Sequence, residues 1–547
     1  MRKWWKEAVF YQVYPRSFFD SNGDGIGDIP GLIEKLPYIK SLGVDAVWLN
    51  PVYKSPNDDG GYDISDYRDI QAEFGTLADF DRLVKEMHAL GLRLVIDIVM
   101  NHSSDEHGWF LRSRASKSNP YRNYYFWRPG KNGGPPNNWK SFFGGSAWQF
   151  DERTSEYYLH LFSRKQPDLN WESPELRMEL FDIMRFWLAR GVDGFRLDVL
   201  SCISKRTQFP DTHTEDFNLT IAAYYANGPR LAEFIRELRR EVLTPPEVMA
   251  IGEGPGLTRE NALDYLKEGS GLDMIFHFGH MFIDQGPGGR FDPVPWNVRD
   301  FRRIFMEWDE TFADRGWGSV FLGNHDFPRM VSRWGNDQEY RVESSKLLLM
   351  LLLTLRGTPF IYQGDELGMT SYLLTSLDEA KDIETLNGWQ SAKGRGMTAT
   401  GFLALANRMG RDTCRSPMQW SGGRHAGFTR GRPWMPVNPN HVSVNAQEQN
   451  GRRGSVLNFF RALTAFRKSR PALVYGSTTW LEERPEALFA YVRELGQEKL
   501  AVALNLSDNP VNLPASFRQH KVLLSSYGSI QATLGPWEGR IIDLTHE

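Results

Sequence analysis

Short apolar runs recur along the chain, each followed by a loop and then by a stretch whose apolar residues fall at helical spacing. Runs at residues 9–14, 46–50, 94–99, 194–198, 248–252, 274–278, 320–323 and 360–363 predict eight strands. Between them, residues 77–90, 174–190, 229–242 and 340–355 predict amphipathic helices. Strands that alternate with helices pair in parallel. Eight of them predict an α/β fold, a closed (β/α)8 TIM barrel rather than a doubly wound sheet.

Two connections are too long to be plain loops. Residues 103–170 follow strand three and are rich in Gly, Asn, Pro and aromatics, as in KNGGPPNNWKSFFGG. A connection of that length is usually functional, and here it predicts a small inserted domain beside the site. The stretch from 370 to about 447 after strand eight is similarly irregular. Beyond residue 470 the pattern changes to short apolar runs such as 488–492, 500–504 and 522–524, which predict a C-terminal all-β sandwich domain. The expected division is a barrel at 1–102 and 171–470, the insertion at 103–170, and the β domain at 471–547.

Composition narrows the class. Lys and Arg total 64 against 68 Asp and Glu, a net charge of −4, which argues against a nucleic-acid grip. Two cysteines, Cys202 and Cys414, exclude a disulfide framework. The longest apolar stretch, residues 347–355, is too short to cross a bilayer, so no membrane partner is expected. In MRKWWKEAVF, Lys6 and Glu7 interrupt any signal-peptide core. The expectation is a cytoplasmic enzyme, a monomer or small homo-oligomer, acting on a small molecule.

In such a barrel the active site lies where strands end and the following loops begin. Strand four ends in Gly194-Phe195-Arg196-Leu197-Asp198, so Arg196 and Asp198 share a face by the period-two rule. Strand five ends in Ile251-Gly252-Glu253 and strand seven in Asn324-His325-Asp326. Strand three leads into Asn101-His102, and the loop after strand two carries Tyr62-Asp63. Asp198, Glu253 and Asp326 therefore converge at one barrel end. Glycoside hydrolysis needs two such carboxylates, one to attack the anomeric carbon or activate water and one to protonate the leaving oxygen. Arg196 beside Asp198 favours the ionised form a nucleophile requires, and Glu253 needs a raised pKa to act as an acid. Any one of these acids alone could equally be a helix cap or an ion-pair partner. Three on different strands, with two histidines and an arginine, point to a site.

The motifs DIVMNH (97–102), QPDLN (166–170), GFRLD (194–198), IGE (251–253) and NHD (324–326), with AVFYQVYPRSFFDSNGDGIGD near the start, resemble those of glycoside hydrolase family 13, the α-amylase family. More narrowly, they resemble the oligo-1,6-glucosidase and α-glucosidase branch, over nearly the whole chain. The resemblance implies a nucleophile at Asp198, a general acid/base at Glu253, and at Asp326 a residue that fixes the sugar's hydroxyls. It implies that His102, Arg196 and His325 line the subsite for the non-reducing glucose. Aromatic faces suit sugar rings, and Tyr62, which precedes Asp63, is the one candidate stacking platform. Asp63 and Arg415 would clamp the far hydroxyls of that glucose and make the enzyme exo-acting. Gly254 and Gly279 stand where relatives often carry Met and Glu, and Thr413-Cys414 replaces the more usual pair before Arg415. Gly254, next to the acid, suggests a wider leaving-group space.

Oxygen-bearing residues alternate in Asp20-Ser21-Asn22-Gly23-Asp24-Gly25-Ile26-Gly27-Asp28, like the first half of a calcium loop. Gly31 stands at the twelfth loop position, which excludes an EF-hand. The resemblance implies a structural Ca2+, or Mg2+, on Asp20, Asn22, Asp24, Asp28 and the Ile26 carbonyl. The alternative is a Gly/Asp turn without an ion. Cys202 reads as a packing residue and His213 as part of a solvated loop.

Three activities compete. The first is an exo-acting retaining α-glucosidase. The second is a sucrose-acting transglucosidase or isomerase of the same scaffold. Isomerases that resemble the chain carry alternating Arg and Asp between strands six and seven, whereas here the stretch reads FIDQGPGGRFDPVPWNVRDF. The third is an inactive sugar-binding relative, which would lack the acids. In relatives, valine after the nucleophile accompanies α-1,6 cleavage, so Val199 predicts an isomaltose-type preference over an α-1,4-preferring or broad specificity.

Overall fold

The computed structural model describes residues 2–545 except 246, 314 and 482–484. The termini of the expected domains at 1 and 546–547 lie outside the described residues. Eight parallel strands form one sheet: β1 (Phe10–Val13), β2 (Ala46–Leu49), β3 (Arg93–Val99), β4 (Gly194–Asp198), β5 (Met249–Glu253), β6 (Met274–Phe276), β7 (Ser319–Val320) and β8 (Thr358–Tyr362). Neighbours in sequence are neighbours in space, and β8 pairs with β1. A parallel bridge from Ile275 to Gly318 brings β6 to β7 and closes the barrel. The strands are buried on both faces, so they read as near-continuous apolar runs.

β7 is shorter than the run 320–323 predicts. The reason lies in its carbonyls. His280 Nε2 pairs with Phe321 O at 2.6 Å, and Trp334 Nε1 donates to Leu322 O at 2.8 Å. Side chains thus take the acceptors that a longer ladder would use, and the chain turns early toward Asn324-His325-Asp326.

Helices α1 (Leu77–Ala89), α2 (Pro174–Ala189), α3 (Leu231–Glu241), α4 (Val298–Phe312) and α5 (Arg341–Thr354) lie among those joining the strands. Each starts where its sequence supplies a stop for the orphan amides, or where packing makes one unnecessary. Thr76 and Asp79 form a capping box on α1, and Ser173 caps α2. α5 is apolar nearly all round, and its residues from Ser344 onward are buried. The helix Val456–Lys468 and the C-terminal sheet cover the side that solvent would otherwise meet.

The inserted segment holds a three-stranded antiparallel sheet of Trp127–Arg128, Glu156–Leu159 and Trp148–Asp151, in that spatial order. Its small core is not its own. Phe126, Trp139, Trp148 and Leu159 pack with Phe209, Ile221 and Tyr225 from the loop after β4. The C-terminal part is a five-stranded antiparallel sheet with a separate two-stranded ladder, Val511–Asn512 with Thr533–Leu534. Two fully buried arginines fasten it to the barrel. Arg467 Nη2 donates to Gly357 O and Nη1 to Leu353 O, while Arg493 Nη1 donates to Thr354 O, so both guanidinia cap the end of α5 and the turn into β8.

Candidate active site

Asp198 and Glu253 are the last residues of β4 and β5, and Asp326 follows β7 in the next loop. All three line one cavity of about 1050 Å³ at the C-terminal end of the barrel. Arg196 lies beneath them and joins the first two. Its Nη1 bonds Asp198 Oδ1 and, at 2.7 Å, Asp97 Oδ1, and its Nη2 lies 2.8 Å from Glu253 Oε2. Asp97, on β3, is in turn held by Trp48 Nε1 at 2.9 Å and by Asn50 and Tyr62.

One cation among three buried acids governs the titration. Burial pulls Arg196 down, but Glu253, Asp97 and Asp198 outweigh it and hold it well above its ordinary value. Burial pushes Asp198 well above the usual carboxylate range; Arg196 opposes this, and Glu253 and Asp97 reinforce it. Burial likewise raises Asp97 to about 6. Asp97 and Asp198 therefore hold their protons to higher pH than isolated carboxylates would.

Val199 follows Asp198 with φ of 37° and ψ of 41°, in the left-handed region. A β-branched residue there is strained, by roughly 1–3 kcal/mol. The strained turn aims the Val199 N–H at Glu253 Oε2, 3.1 Å away, and leaves the side chain on the cavity wall.

The closed end of the cavity differs from the expectation at Asp63 and Arg415. Asp63 is fully buried and absent from the cavity wall. Its carboxylate accepts Ser55 Oγ and the N–H groups of Asp58 and Asp59, which closes the turn through Gly60 and Gly61. Asp59, presented by that turn, lines the cavity instead and pairs with Arg411 at 2.9 Å. Arg411 also lines it and reaches Asp326 at 3.3 Å and Asp382 at 2.5 Å. Arg415 sits behind, donating to His325 O and to Asp326 Oδ1 at 2.8 and 2.9 Å. Burial, which would raise Asp326, is outweighed by His325 and by Arg411, Arg415 and Arg290, so this carboxyl lies far below its usual range.

His102 lines the cavity, and Gln166 Nε2 lies 3.1 Å from its Nε2. His325 stacks on Tyr62 with ring centroids 5.3 Å apart, and Gln12 holds its Nδ1 at 2.9 Å. Burial drives both histidines down to about 3, so near neutral pH they are neutral hydrogen-bonding groups. Tyr62 and Val199 line the cavity, whereas Arg196 and His325 act from behind its wall. Gly254 does not face the leaving-group space. A β-carbon there would lie 3.1 Å from Leu257, and Pro255 forms the wall. Gly279 faces Trp308 and Ile304 in the same way.

This arrangement agrees with what the chain is similar to. Residues 12–476 match the model of the alpha amylase catalytic domain. The chain belongs to the α-amylase family. An oligo-1,6-glucosidase of Parageobacillus thermoglucosidasius is 49% identical, with 99% of each chain covered. The oligo-1,6-glucosidase of Bacillus cereus is 46% identical over 99% of this chain and 100% of its own. Among solved structures, isomaltulose synthase from Klebsiella sp. LX3 is 45% identical with a TM-score of 0.96, covering 99% of both chains. The chain is thus a glycoside hydrolase built on this family's barrel.

The loop from Asp20 to Asp28 near the start is closed by hydrogen bonds, most of them its own. Asp20 accepts the N–H groups of Asn22, Gly23 and Gly25 and the Thr429 hydroxyl. Asp24 accepts Ile26 N–H, and Asp28 caps the next helix through Gly31 N–H. Among the described residues no three His, Cys, Asp or Glu side chains converge as a metal set. The donor types, all oxygen, fit a hard cation. Among those residues also, no helix is long and apolar enough to cross a membrane.

Asp59 and Asp63 make a discriminating pair. Asp59→Asn should raise KM for a terminal glucoside by tenfold or more, at about 1.4 kcal/mol per tenfold, with little change in melting temperature. Asp63→Ala should instead lower the melting temperature, since it strands two turn amides and a hydroxyl. Steady-state kinetics and thermal unfolding of the two variants check this.

Proposed function

We propose that the chain is an exo-acting retaining α-glucosidase that releases glucose from the non-reducing end of short α-glucosides, with α-1,6 links favoured. The observation that carries this reading is one cavity joining the Arg196-bridged pair, Asp198 and Glu253, to an end stopped by Asp59, Arg411 and Asp326. A pocket stopped by charged groups holds one terminal sugar and lets the rest of the chain leave through the mouth. The oligo-1,6-glucosidases among the similar proteins support the linkage.

In this reading Asp198 attacks the anomeric carbon, and Glu253 gives its proton to the departing glycosidic oxygen. Glu253 then takes a proton from water as water attacks the same carbon and frees Asp198. Two displacements retain the α configuration. Arg196 pairs with the Asp198 carboxylate, opposes the burial that raises it, and so favours the anion that attacks. Neutral His102 faces the sugar from the cavity wall and neutral His325 backs Tyr62 from behind it, so neither adds charge that would compete for Asp198.

The second reading, a sucrose-acting transglucosidase or isomerase, has the isomaltulose synthase similarity in its favour. At the mouth, however, the hairpin Gln285–Gly286 with Gly289–Pro293 carries a single arginine. Arg290 is occupied by Glu384 at 2.7 Å and by Asp326 O at 2.8 Å. Among the described residues of that hairpin no run of charged groups faces the acceptor space, which favours water over a held sugar. The expected Ca2+ or Mg2+ at Asp20, Asn22, Asp24, Ile26 and Asp28 is proposed as structural, on its all-oxygen donor set and its separation from the acids in sequence.

NMR of the first product should show α-glucose before mutarotation, and initial β-glucose would sink the retaining assignment. Asp198→Asn should lose orders of magnitude in turnover while folding normally, since the amide keeps the shape but not the nucleophile. Val199→Thr keeps the β-branched shape and adds only a hydroxyl. It should move the isomaltose-to-maltose ratio of kcat/KM about tenfold toward maltose, within the roughly 1–3 kcal/mol such a group supplies. An unchanged ratio would clear Val199 of that role. Thorough chelation should lower the melting temperature, and added calcium or magnesium should restore it, with turnover well below melting barely affected.

A further inference from the structure

The loop after β4 runs outward from the barrel and crosses to the inserted segment. Its first anchor is Phe209, whose ring packs edge-on against Phe126, Trp139 and Trp148 at 5.2–5.4 Å between centroids. Trp139 Nε1 donates to Pro210 O at 2.8 Å, and Asn137 Nδ2 to Phe209 O at 3.0 Å. The far anchor is Tyr225, whose hydroxyl donates to Lys140 O at 2.9 Å and accepts Lys140 N–H at 3.0 Å. Between these anchors, residues 212–215, Phe217 and Asn218 line the same cavity as Val199 and Glu253, on a loop separate from those that stop its closed end.

The middle of this strap is fastened by one side chain. The Asn138 amide donates from Nδ2 to Thr212 O at 3.0 Å and accepts Thr212 N–H at Oδ1 at 2.7 Å. Its own N–H donates to Asp211 Oδ1 at 3.1 Å. Asn138 thus satisfies both backbone groups of Thr212, as a paired strand would. Other contacts across the seam are Lys131 with Asp211 at 3.6 Å, Lys140 with Glu215 at 3.7 Å, and the Phe217 ring edge-on to Phe142 at 5.3 Å between centroids. The two ion pairs are exposed, and such pairs are worth little. Beyond Thr212, the segment to Asp216 is braced internally by the bond from Asp216 N–H to Thr214 Oγ1. Between the anchors at Phe209 and Phe217, its position therefore depends on where Asn138 holds Thr212.

We propose that Asn138 is a specificity-determining residue: by holding Thr212 it fixes the strap over the leaving-group side of the cavity and limits the length of glucan that can leave through the mouth. This rests on the α-glucosidase reading above. Residues that stop the closed end belong to other loops, so loosening the strap changes the mouth and not the seat of the terminal glucose.

The test compares kcat/KM for isomaltopentaose with that for p-nitrophenyl α-glucoside, in the wild type, Asn138→Ala and Asn138→Asp. The full chain is used, and thermal unfolding is recorded for each. Asn138→Ala should raise the pentaose-to-aryl ratio about fivefold, the scale of losing the net worth of one or two hydrogen bonds. Asn138→Asp keeps the acceptor for Thr212 N–H but loses the donor, so it should fall between, and it serves alone where the alanine variant does not fold. A proportional loss on both substrates, with the ratio unchanged in folded variants, would show a purely structural residue and overturn the inference. Absence of any α-glucosidase activity in the wild type would remove the proposed function and this inference with it. Aryl-glucoside cleavage with an unmoved ratio would remove the inference alone.

Discussion

Arg196 is one guanidinium shared by three carboxylates that the barrel buries together. Asp97, Asp198 and Glu253 come from three adjacent strands, and without a common cation their mutual repulsion would add to the cost of removing each from water. Removing one partner of such a buried group is expensive, because the remaining charges stay buried and unpaired. The surrounding polar side chains follow from this. Trp48, Asn50 and Tyr62 direct their hydrogens to Asp97, which leaves the cavity-facing oxygens of Asp198 and Glu253 open. The same guanidinium sets the spacing of the two reacting acids, since both must reach its nitrogens.

The closed end repeats the principle with the signs redistributed. Arg411 lies among Asp59, Asp326 and Asp382, and Arg415 holds Asp326 from behind. These residues come from the loop after β2, the loop after β7 and the long segment after β8. Groups far apart in sequence can be held this firmly because each loop is short of freedom: its polar groups are already bonded within the fold. Between the two charge clusters the walls are aromatic or aliphatic, with Tyr62, Phe162, Val199 and Phe278 among them. A sugar entering there meets charge at its two ends and apolar faces along its sides.

How much of this was legible depended on backbone regularity. Arg196, Asp198 and Glu253 sit on strands, where period two decides which way a side chain points, so their grouping followed from the pattern. Asp326 and His102 lie a few residues past strand ends, still close enough for the rule to serve. Asp59 and Asp63 lie in a turn built on Gly60 and Gly61, both at positive φ. There the direction of each carboxylate is set by the turn and not by spacing, and the neighbouring acids were interchangeable by eye. The two arginines of RDTCR posed the same difficulty across a short 3-10 turn, Arg411–Cys414. The signal available was the second acid in Asp58-Asp59 and the first arginine of that motif. Val199 shows the limit from the other side: propensity places a β-branched residue in an extended backbone, and the site holds it in the left-handed region.

The shared core of the inserted segment bears on how the chain reaches its native state during synthesis. Phe126, Trp139, Trp148 and Leu159 leave the ribosome before the residues that cover them, and Phe209 follows Leu159 by 50 residues. Translation at about 5–20 residues per second makes that interval on the order of seconds. Throughout it the small sheet has an open aromatic face, and it cannot be completed until β4 has been made and its loop has folded back. The barrel and the insertion therefore mature together and not in order of appearance.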